Sequence, residues 1–133
     1  MKIILDTNVL ISGIFFKGPP YQILKMWRDG EVDLISSEEI FQEYLSVCER
    51  LHEKYPIIDF KEIIDLIAIN AHFYEQKNIN QQITADPDDD KFITCALAAG
   101  VKLIISGDKH LLDVNGYQEI QVITPAEFIS KYR

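Results

Sequence analysis

The chain has 133 residues and a mass of 15.3 kDa, with 47% hydrophobic and 26% charged residues. This composition is typical of one globular domain spanning residues 1–133, and it excludes the disordered and fibrous classes. A chain of this length buries roughly two-thirds of the surface that its unfolded form exposes, so folding requires no disulfide or structural metal. The formal net charge of −8 argues against a basic nucleic-acid-binding surface that extends over the whole protein.

No apolar run approaches the ~20 residues of a membrane span, and the apolar stretch after Lys2 is too short for a signal peptide. We therefore expect a cytoplasmic protein that does not bind a membrane. The two cysteines, Cys48 and Cys95, lie in apolar segments and lack the spacing of a metal or redox motif. We expect both to be buried, reduced thiols.

The first half of the chain begins with an aliphatic strand. Residues 2–6 (KIILD) have the pattern of a buried parallel strand, and the last of them opens a polar DTN sequence. Residues 19–29 start with two prolines and are followed by Gly30, and their near-helical apolar spacing predicts a helix. Residues 32–35 form the second predicted strand.

Two capping boxes then predict a helical hairpin. Ser36 is followed three residues later by Glu39, and Asp59 is followed in the same way by Glu62. Each pair opens a run of apolar residues at helical spacing, and the second run extends to residue 74. We therefore predict two consecutive helices in this part of the chain.

The second half contains an acidic segment between a strand and a helix. Residues 79–83 are predicted to form a weak strand, and four aspartates follow within residues 86–90. Asp88 is the expected N-cap of a helix over 91–99, which Gly100 closes. The remaining predicted elements are two strands and a terminal helix, at 102–105, at 120–123 and from Pro125.

Strands and helices alternate along nearly the whole chain. This order predicts an α/β fold, a three-layer α/β/α sandwich with a central, mostly parallel sheet, as in Rossmann-like proteins. In such sheets, ligands bind beyond the carboxyl ends of the strands. The residues that follow the strands are therefore the candidates for a functional site.

Carboxylates from four remote segments are expected at this edge. Asp6 ends the first strand, Asp108 follows the strand at 102–105, and the segment 86–90 leads into a helix. Glu43 lies about two turns into the helix after the second strand, where it can reach inward along the edge. Each acid alone has an ordinary structural explanation, as a turn residue, a helix N-cap or a solvent-facing helix residue. Their common position at one edge indicates a metal site.

The chemistry of such a cluster favours a hard dication. Carboxylates about 5 Å apart repel by roughly 3 kcal/mol per pair at an effective dielectric constant of ~20. Oxygen ligands without Cys or paired His select Mg²⁺ or Mn²⁺ over Zn²⁺. Phosphodiester hydrolysis uses such a site, because the metal lowers the pKa of a bound water and offsets charge on the phosphate oxygens.

Helical phase ranks the acids of the segment 86–90. Asp89 falls on the inward face of the predicted helix and ranks first, whereas Asp90 points about 100° away from that face. Asp88 suits the N-cap, and Asp86 is held in an extended conformation because a proline follows it. Asp90 and Asp86 remain lesser candidates.

Three motifs in order resemble the PIN-domain nucleases. They are LDTNVLIS at 5–12, SEEIFQEYLSV at 37–47 and DPDDDKFITCALAAGVKLIISGDKHLL at 86–112. The resemblance covers nearly the whole chain and is strongest with the bacterial branch of toxin components of toxin–antitoxin systems. Members of that branch carry DTNV near the start and a DPxDxKF…SGD stretch near the end.

The resemblance implies that four acids bind metal and catalyse the reaction. Matched onto this chain, they are Asp6 in DTN, Glu43 in EEIFQEY, Asp89 in DPDDDKF and Asp108 in SGD. The family often has Asn at the position of Asp90, so the extra carboxylate leaves the third acid open between two neighbouring positions.

Other polar residues have supporting or structural explanations. Asn8 and Ser106 match positions that, by resemblance, orient the acids or contact metal or phosphate; simple turn capping is the alternative. His110 is expected to be a solvated loop residue and is left out of the site. Four cations could steer phosphate if they cluster, namely Lys17, Arg28, Lys91 and Lys109.

The resemblance implies a ribonuclease dependent on Mg²⁺ or Mn²⁺ that hydrolyses single-stranded RNA and acts as a toxin. It also implies a cognate antitoxin protein as a partner, and a homodimer is common in the family. The alternative is a catalytically inactive PIN-fold module that binds RNA or protein. A phosphatase or receiver fold is disfavoured, because the first strand lacks both a DxDx[TS] motif and a following pair of acids.

Overall fold

The computed structural model describes residues 1–76 and 81–133, and its centre is a five-stranded parallel sheet. The strands are β1 (Lys2–Leu5), β2 (Asp33–Ser36), β3 (His72–Phe73), β4 (Leu103–Ile105) and β5 (Gln121–Ile123). They lie side by side in the order β3-β2-β1-β4-β5, and every neighbouring pair is parallel. The central pair is β1 and β4, in which Ile4 lies opposite Ile104.

Both faces of the sheet are covered. Ile3, Ile4 and Leu5 of β1 are each at most 1% exposed, although successive side chains of a strand point to opposite faces. All three residues of β4 are likewise buried. Packed elements therefore lie on both sides of the sheet, and the predicted α/β/α fold is confirmed.

Seven helices lie in the described part of the chain. They are α1 (Thr7–Phe15), α2 (Pro19–Arg28), α3 (Glu38–Lys54), α4 (Phe60–Asn70), α5 (Asp90–Ala99), α6 (Lys109–Leu112) and α7 (Pro125–Tyr132). Two short 3₁₀ turns, Pro87–Asp89 and Tyr117–Glu119, precede α5 and β5. No helix among the described residues is long and apolar enough to cross a membrane.

The chain reverses its direction across the sheet once. It runs from β1 through β2 to the edge strand β3, and it then returns to place β4 and β5 on the other side of β1. Right-handed crossovers place the helices of these two halves on opposite faces. The loops after β1 and β4 therefore diverge at a switch point, which is where open parallel sheets bind ligands.

Most predicted elements agree with the structure to within one residue at either end. They are the strands at 2–6, 32–35, 102–105 and 120–123 and the helices at 19–29, at 91–99 and from Pro125. Gly100 ends α5 in the left-handed conformation, with φ 67°, as its place after the helix predicts. Cys48 and Cys95 are free and buried, as predicted.

The first predicted capping box is wrong by one residue. Ser37 caps α3, because its hydroxyl accepts the N–H of Ile40, whereas Ser36 belongs to β2 and is fully buried. The second box is confirmed at its cap, since the Asp59 carboxylate accepts the N–H of Lys61 at 3.0 Å. Adjacent serines at a strand end make such a cap ambiguous in sequence.

The helix α1 was not predicted. Residues 7–15 are rich in β-branched side chains, which have low helix propensity, and they include Gly13. Packing explains this helix better than propensity does. A Cβ on Gly13 would lie 2.6 Å from a Leu24 methyl and 3.0 Å from the Pro20 carbonyl, so α1 and α2 approach closely at this glycine.

The predicted third strand is wrong in position. Residues 79–80 lie outside the described residues, and 81–83 form no strand. The observed β3 is the two-residue segment His72–Phe73, which pairs with β2. The helix predicted up to residue 74 is too long, because the backbone becomes extended at Ala71, directly after α4.

Candidate functional site

Asp6 is a buried carboxylate at the carboxyl end of the central strand. It directly follows β1, continues the sheet by donating its N–H to the Ile105 carbonyl at 3.0 Å, and is 5% exposed. Burial raises the pKa of Asp6, and the charges of Asp108 and Glu43 raise it further, while a hydrogen bond from Ser106 opposes them. Its negative charge is therefore disfavoured in the metal-free protein.

Ser106 connects the loops that follow β1 and β4. Its fully buried hydroxyl donates to Asp6 Oδ2 at 2.8 Å and accepts the backbone N–H of Asp108 at 2.9 Å. The Asp108 carboxylate in turn caps α6 by accepting the N–H of His110 at 3.2 Å. The short SGD loop thus places Asp108 close to Asp6.

Glu43 reaches the same edge from α3. The neighbouring Tyr44 is fully buried and donates its hydroxyl to the Leu5 carbonyl at 2.5 Å, which fixes this helix against the end of β1. The Glu43 carboxylate accepts a hydrogen bond from Thr7 and forms an ion pair with Lys91 at 2.8 Å. Among the described residues, Lys91 is the only Lys or Arg paired with Asp6, Glu43, Asp89 or Asp108.

Asp89 is the acid of the acidic segment that interacts with the other candidates. It ends the 3₁₀ turn before α5, and its side chain is 16% exposed. Burial, a hydrogen bond with Asp108 and the charges of Asp108, Asp86 and Asp6 raise the pKa of Asp89 to about 7. Asp89 therefore contacts Asp108, and the charge of Asp108 acts on both Asp89 and Asp6. Among the described residues, the group of three ligand atoms found within 4.8 Å of one another is a different one, Asp86, Asp89 and His110.

The Asp90 carboxylate stabilises the local loop structure. Its carboxylate accepts the N–H groups of Ile83 and Thr84 at 3.0 and 2.8 Å and the Thr84 hydroxyl at 2.7 Å. These bonds hold the loop before the 3₁₀ turn against the start of α5. The prediction that Asp88 is the N-cap is wrong, because Asp86 caps the turn by accepting the Asp88 N–H at 3.1 Å.

His110 is solvated, as predicted, with its side chain 47% exposed, but it lies near the acids and in a helix instead of a loop. It belongs to the first turn of α6, and its Nδ1 lies 4.0 Å from Asp89 Oδ2. Ligand atoms of Asp86, Asp89 and His110 all lie within 4.8 Å of one another, so these three could hold a metal ion. Its place two residues after Asp108 was the sequence signal that could have identified it.

Two contacts of Glu43 were not predicted from the sequence, and the role of Asn8 is untested. Thr7 follows Asp6 directly and contacts Glu43. Lys91, considered there as a phosphate-steering cation, instead pairs with Glu43. Asn8 is exposed in the first turn of α1, beside Asp6, and its predicted role near metal or phosphate stays a prediction.

The donors at this edge fit a hard divalent cation. They are carboxylate oxygens from four segments, two of them with raised pKa values, and Lys91 offsets only one charge. A dication would lower the free energy of the ionised cluster by compensating the repulsion. An oxygen-rich site of this kind binds phosphate groups through the ion and supports hydrolysis of phosphate esters.

The model of the PIN-domain family matches residues 2–110. This range contains Asp6, Glu43, Asp89 and Asp108. The comparison with curated proteins gives no match.

Proposed function

Because the chain belongs to the PIN-domain family, whose members are generally nucleases that use divalent metals, we propose that it is an endoribonuclease. The proposed reaction is the hydrolysis of phosphodiester bonds in single-stranded RNA with Mg²⁺ or Mn²⁺. The observation that supports it best is the raised pKa of Asp6 and of Asp89, which burial causes first and the neighbouring charge of Asp108 increases.

Asp6, Asp89 and Asp108 are the residues proposed to hold the ion. When bound, a divalent metal supplies Lewis-acid stabilisation of charge on the phosphate oxygens and activates water. The Ser106 hydroxyl fixes Asp6 relative to the Asp108 backbone, so two of the three carboxylates are positioned before substrate arrives. This fixed arrangement of Asp6 and Asp108 lowers the free-energy cost of reorganising the site during the reaction.

Glu43 has a proposed role different from that of the three ion ligands. Thr7 and Lys91 hold its carboxylate in one orientation, with one oxygen on each partner. From that position we propose that Glu43 orients the attacking water by accepting a hydrogen bond from it, or contributes to a second ion site. Asp90 is omitted from the catalytic set, because three hydrogen bonds already occupy its oxygens.

A cleavage assay tests this function. Purified protein is incubated with labelled single-stranded RNA in Mg²⁺, in Mn²⁺ and in EDTA, alongside Asp6→Asn prepared in parallel. We expect products only with a dication and only from the wild-type protein. Equal cleavage by Asp6→Asn, or cleavage in EDTA, would contradict the proposal. RNA binding without cleavage under every condition would favour the inactive PIN-fold module.

We also propose that the protein acts in the cytoplasm as the toxin of a toxin–antitoxin pair, as a homodimer bound by a cognate antitoxin. The DTNV and DPDDDKF…SGD motifs support this role through their resemblance to that branch. Induced expression in a bacterial host should stop growth, and Asp6→Asn should abolish the effect. Co-expression of the product of the adjacent reading frame should restore growth. Normal growth on wild-type expression would contradict the toxin role.

A further inference from the structure

Positive charge is concentrated on one surface of this acidic protein. The segments 16–28 and 124–133 carry five of the 13 Lys and Arg residues but only one of the 21 Asp and Glu residues. These segments contain α2 and α7, which pack against each other although about 100 residues separate them. The remainder of the chain is correspondingly more acidic than its total charge of −8 indicates.

A small cavity lies at this basic surface. It has a volume of about 330 Å³ and is lined by Lys17, Tyr21, Gln22, Lys25 and Arg133. Lys25 Nζ lies 5.8 Å from the centroid of the Tyr21 ring, and Arg133 Nη1 donates to Gln22 Oε1 at 3.3 Å. Within residues 1–76 and 81–133, none of the three cations of this cavity forms an ion pair with an acid.

The composition of the cavity fits a single-stranded nucleic acid. Unpaired cations attract backbone phosphates, and an aromatic ring accepts a stacked base, which is the usual combination in sites for single strands. We propose that Lys17, Lys25 and Arg133 anchor backbone phosphates of single-stranded RNA outside the acidic site, with a base near Tyr21. This inference rests on the proposed action on RNA.

The helix α1 connects the cavity to the acidic site. It starts directly after Asp6 and ends at Phe15, so it spans about 14 Å at the α-helical rise of ~1.5 Å per residue. Lys17 follows two residues later. The sequence of α1, TNVLISGIF, contains no charged residue, so the helix itself presents no repelling carboxylate to RNA, and Asn8 is its one exposed residue. About four nucleotides cover that distance at the stacked spacing of ~3.4 Å.

An acidic protein segment is the competing ligand for a basic surface. The ring of Tyr21 beside Lys25 favours a nucleotide, since an acidic peptide gains little from an aromatic face. The competing ligand is therefore included as a separate arm of the test.

The test compares two triple variants of the full chain, both made in the non-cleaving Asp6→Asn background. One carries Lys17→Gln, Lys25→Gln and Arg133→Gln. The matched control removes the same charge elsewhere, with Lys2→Gln, Lys61→Gln and Lys102→Gln, all at exposed positions. Fluorescence anisotropy with a labelled 12-nucleotide RNA gives the affinity at several salt concentrations in Mg²⁺. Circular dichroism verifies that both variants are folded.

We expect the cavity variant to bind the RNA about tenfold more weakly at ~0.1 M salt. The slope of log affinity against log salt should shrink by about 2, because each single-strand phosphate contact contributes about 0.7 to it. The control variant should retain most of the dependence of log affinity on log salt. Equal changes in the two variants, or none in either, would overturn the proposal. It would also be overturned if the cavity variant lost binding to a polyglutamate peptide but not to RNA.

Cleavage separates this inference from the proposed function. In the background with Asp6 intact, the cavity variant should raise KM for the 12-nucleotide RNA about tenfold without changing kcat, and should leave a three-nucleotide substrate unaffected. A protein that binds RNA through this surface but never cleaves it would retain the phosphate site and overturn the nuclease function. If the cavity variant and the control variant cleave both substrates equally well, the nuclease function stands and the phosphate site is overturned.

Discussion

The Ser106 hydroxyl donates a 2.8 Å hydrogen bond to the Asp6 carboxylate, and 100 positions separate the two residues in the chain. The same oxygen accepts the backbone N–H of Asp108. One buried side chain therefore joins the ends of β1 and β4 on either side of the switch point. This contact positions two of the candidate metal ligands relative to each other.

Ser106→Ala should lower both stability and activity. It leaves the Asp108 N–H and one Asp6 oxygen without their partner, which costs about 1–3 kcal/mol in the free energy of unfolding. We expect kcat to fall because the two acids lose their relative position. Urea unfolding and RNA cleavage measure the two effects. The matched control is Ser36→Ala, which removes another fully buried hydroxyl, one that donates to the Ser37 carbonyl at 3.1 Å. A wild-type kcat for Ser106→Ala would show that the hydroxyl does not position the acids.

Asp6→Asn should abolish cleavage and stabilise the metal-free protein. The pKa of Asp6 is raised by burial and by the charges of Asp108 and Glu43, so removing its charge relieves an unfavourable interaction. A gain of about 1 kcal/mol corresponds to a rise in Tm of about 3–5 °C for a domain of this size. Calorimetry in EDTA measures the shift. A lower Tm for Asp6→Asn would indicate that the carboxylate is stabilising, and the repulsion argument would then be wrong.

The stability of the metal-free protein should fall as pH rises from about 4 to about 7. The pKa of Asp89 is raised from 3.8 to about 7, so the folded chain binds more protons than the unfolded chain within this window. The stabilising effect of protonating Asp89 is complete below pH 3.8, the pKa of the unfolded chain, and is lost above about pH 7, the pKa of the folded chain. Tm measured in EDTA across this range should decrease, and Asp89→Asn should reduce the decrease. Identical pH profiles for the two proteins would exclude Asp89 as the cause.

Asp89 and Asp90 should respond oppositely to substitution by Ala. Asp90→Ala removes three hydrogen bonds to Ile83 and Thr84 and should destabilise the protein by about 2–4 kcal/mol. Under conditions in which this variant is folded, we expect it to retain cleavage activity. Asp89→Ala should remain folded and lose cleavage. The reverse result, with Asp90→Ala folded and inactive and Asp89→Ala active, would assign the third acid to Asp90.

The placement of the acids could be predicted because it follows from topology. Asp6 and Asp108 follow short aliphatic strands, and the carboxyl ends of parallel strands share one edge. Helical phase ranks Asp89 above Asp90 as the third acid, and this ranking stays a prediction. Whether these residues catalyse a reaction stays a prediction.

The partners of these acids could not be predicted, because they depend on packing between segments far apart in sequence. Glu43 and Lys91 are 48 positions apart, and nothing in either segment indicates their ion pair. The helix α1 was missed for a related reason, since its close packing at Gly13 outweighs the low helix propensity of its β-branched residues. His110 was left out as a solvated residue, because the sequence does not show that α6 brings its ring within 4.0 Å of Asp89.

A crystal structure of the protein soaked in Mn²⁺ tests the central claim most directly, because the anomalous signal locates the ion. We predict a peak coordinated by Asp6, Asp89 and Asp108, with the Glu43 carboxylate on the same side. A peak held only by Asp86, Asp89 and His110, or no peak at millimolar Mn²⁺, would contradict the claim that these acids form the metal site.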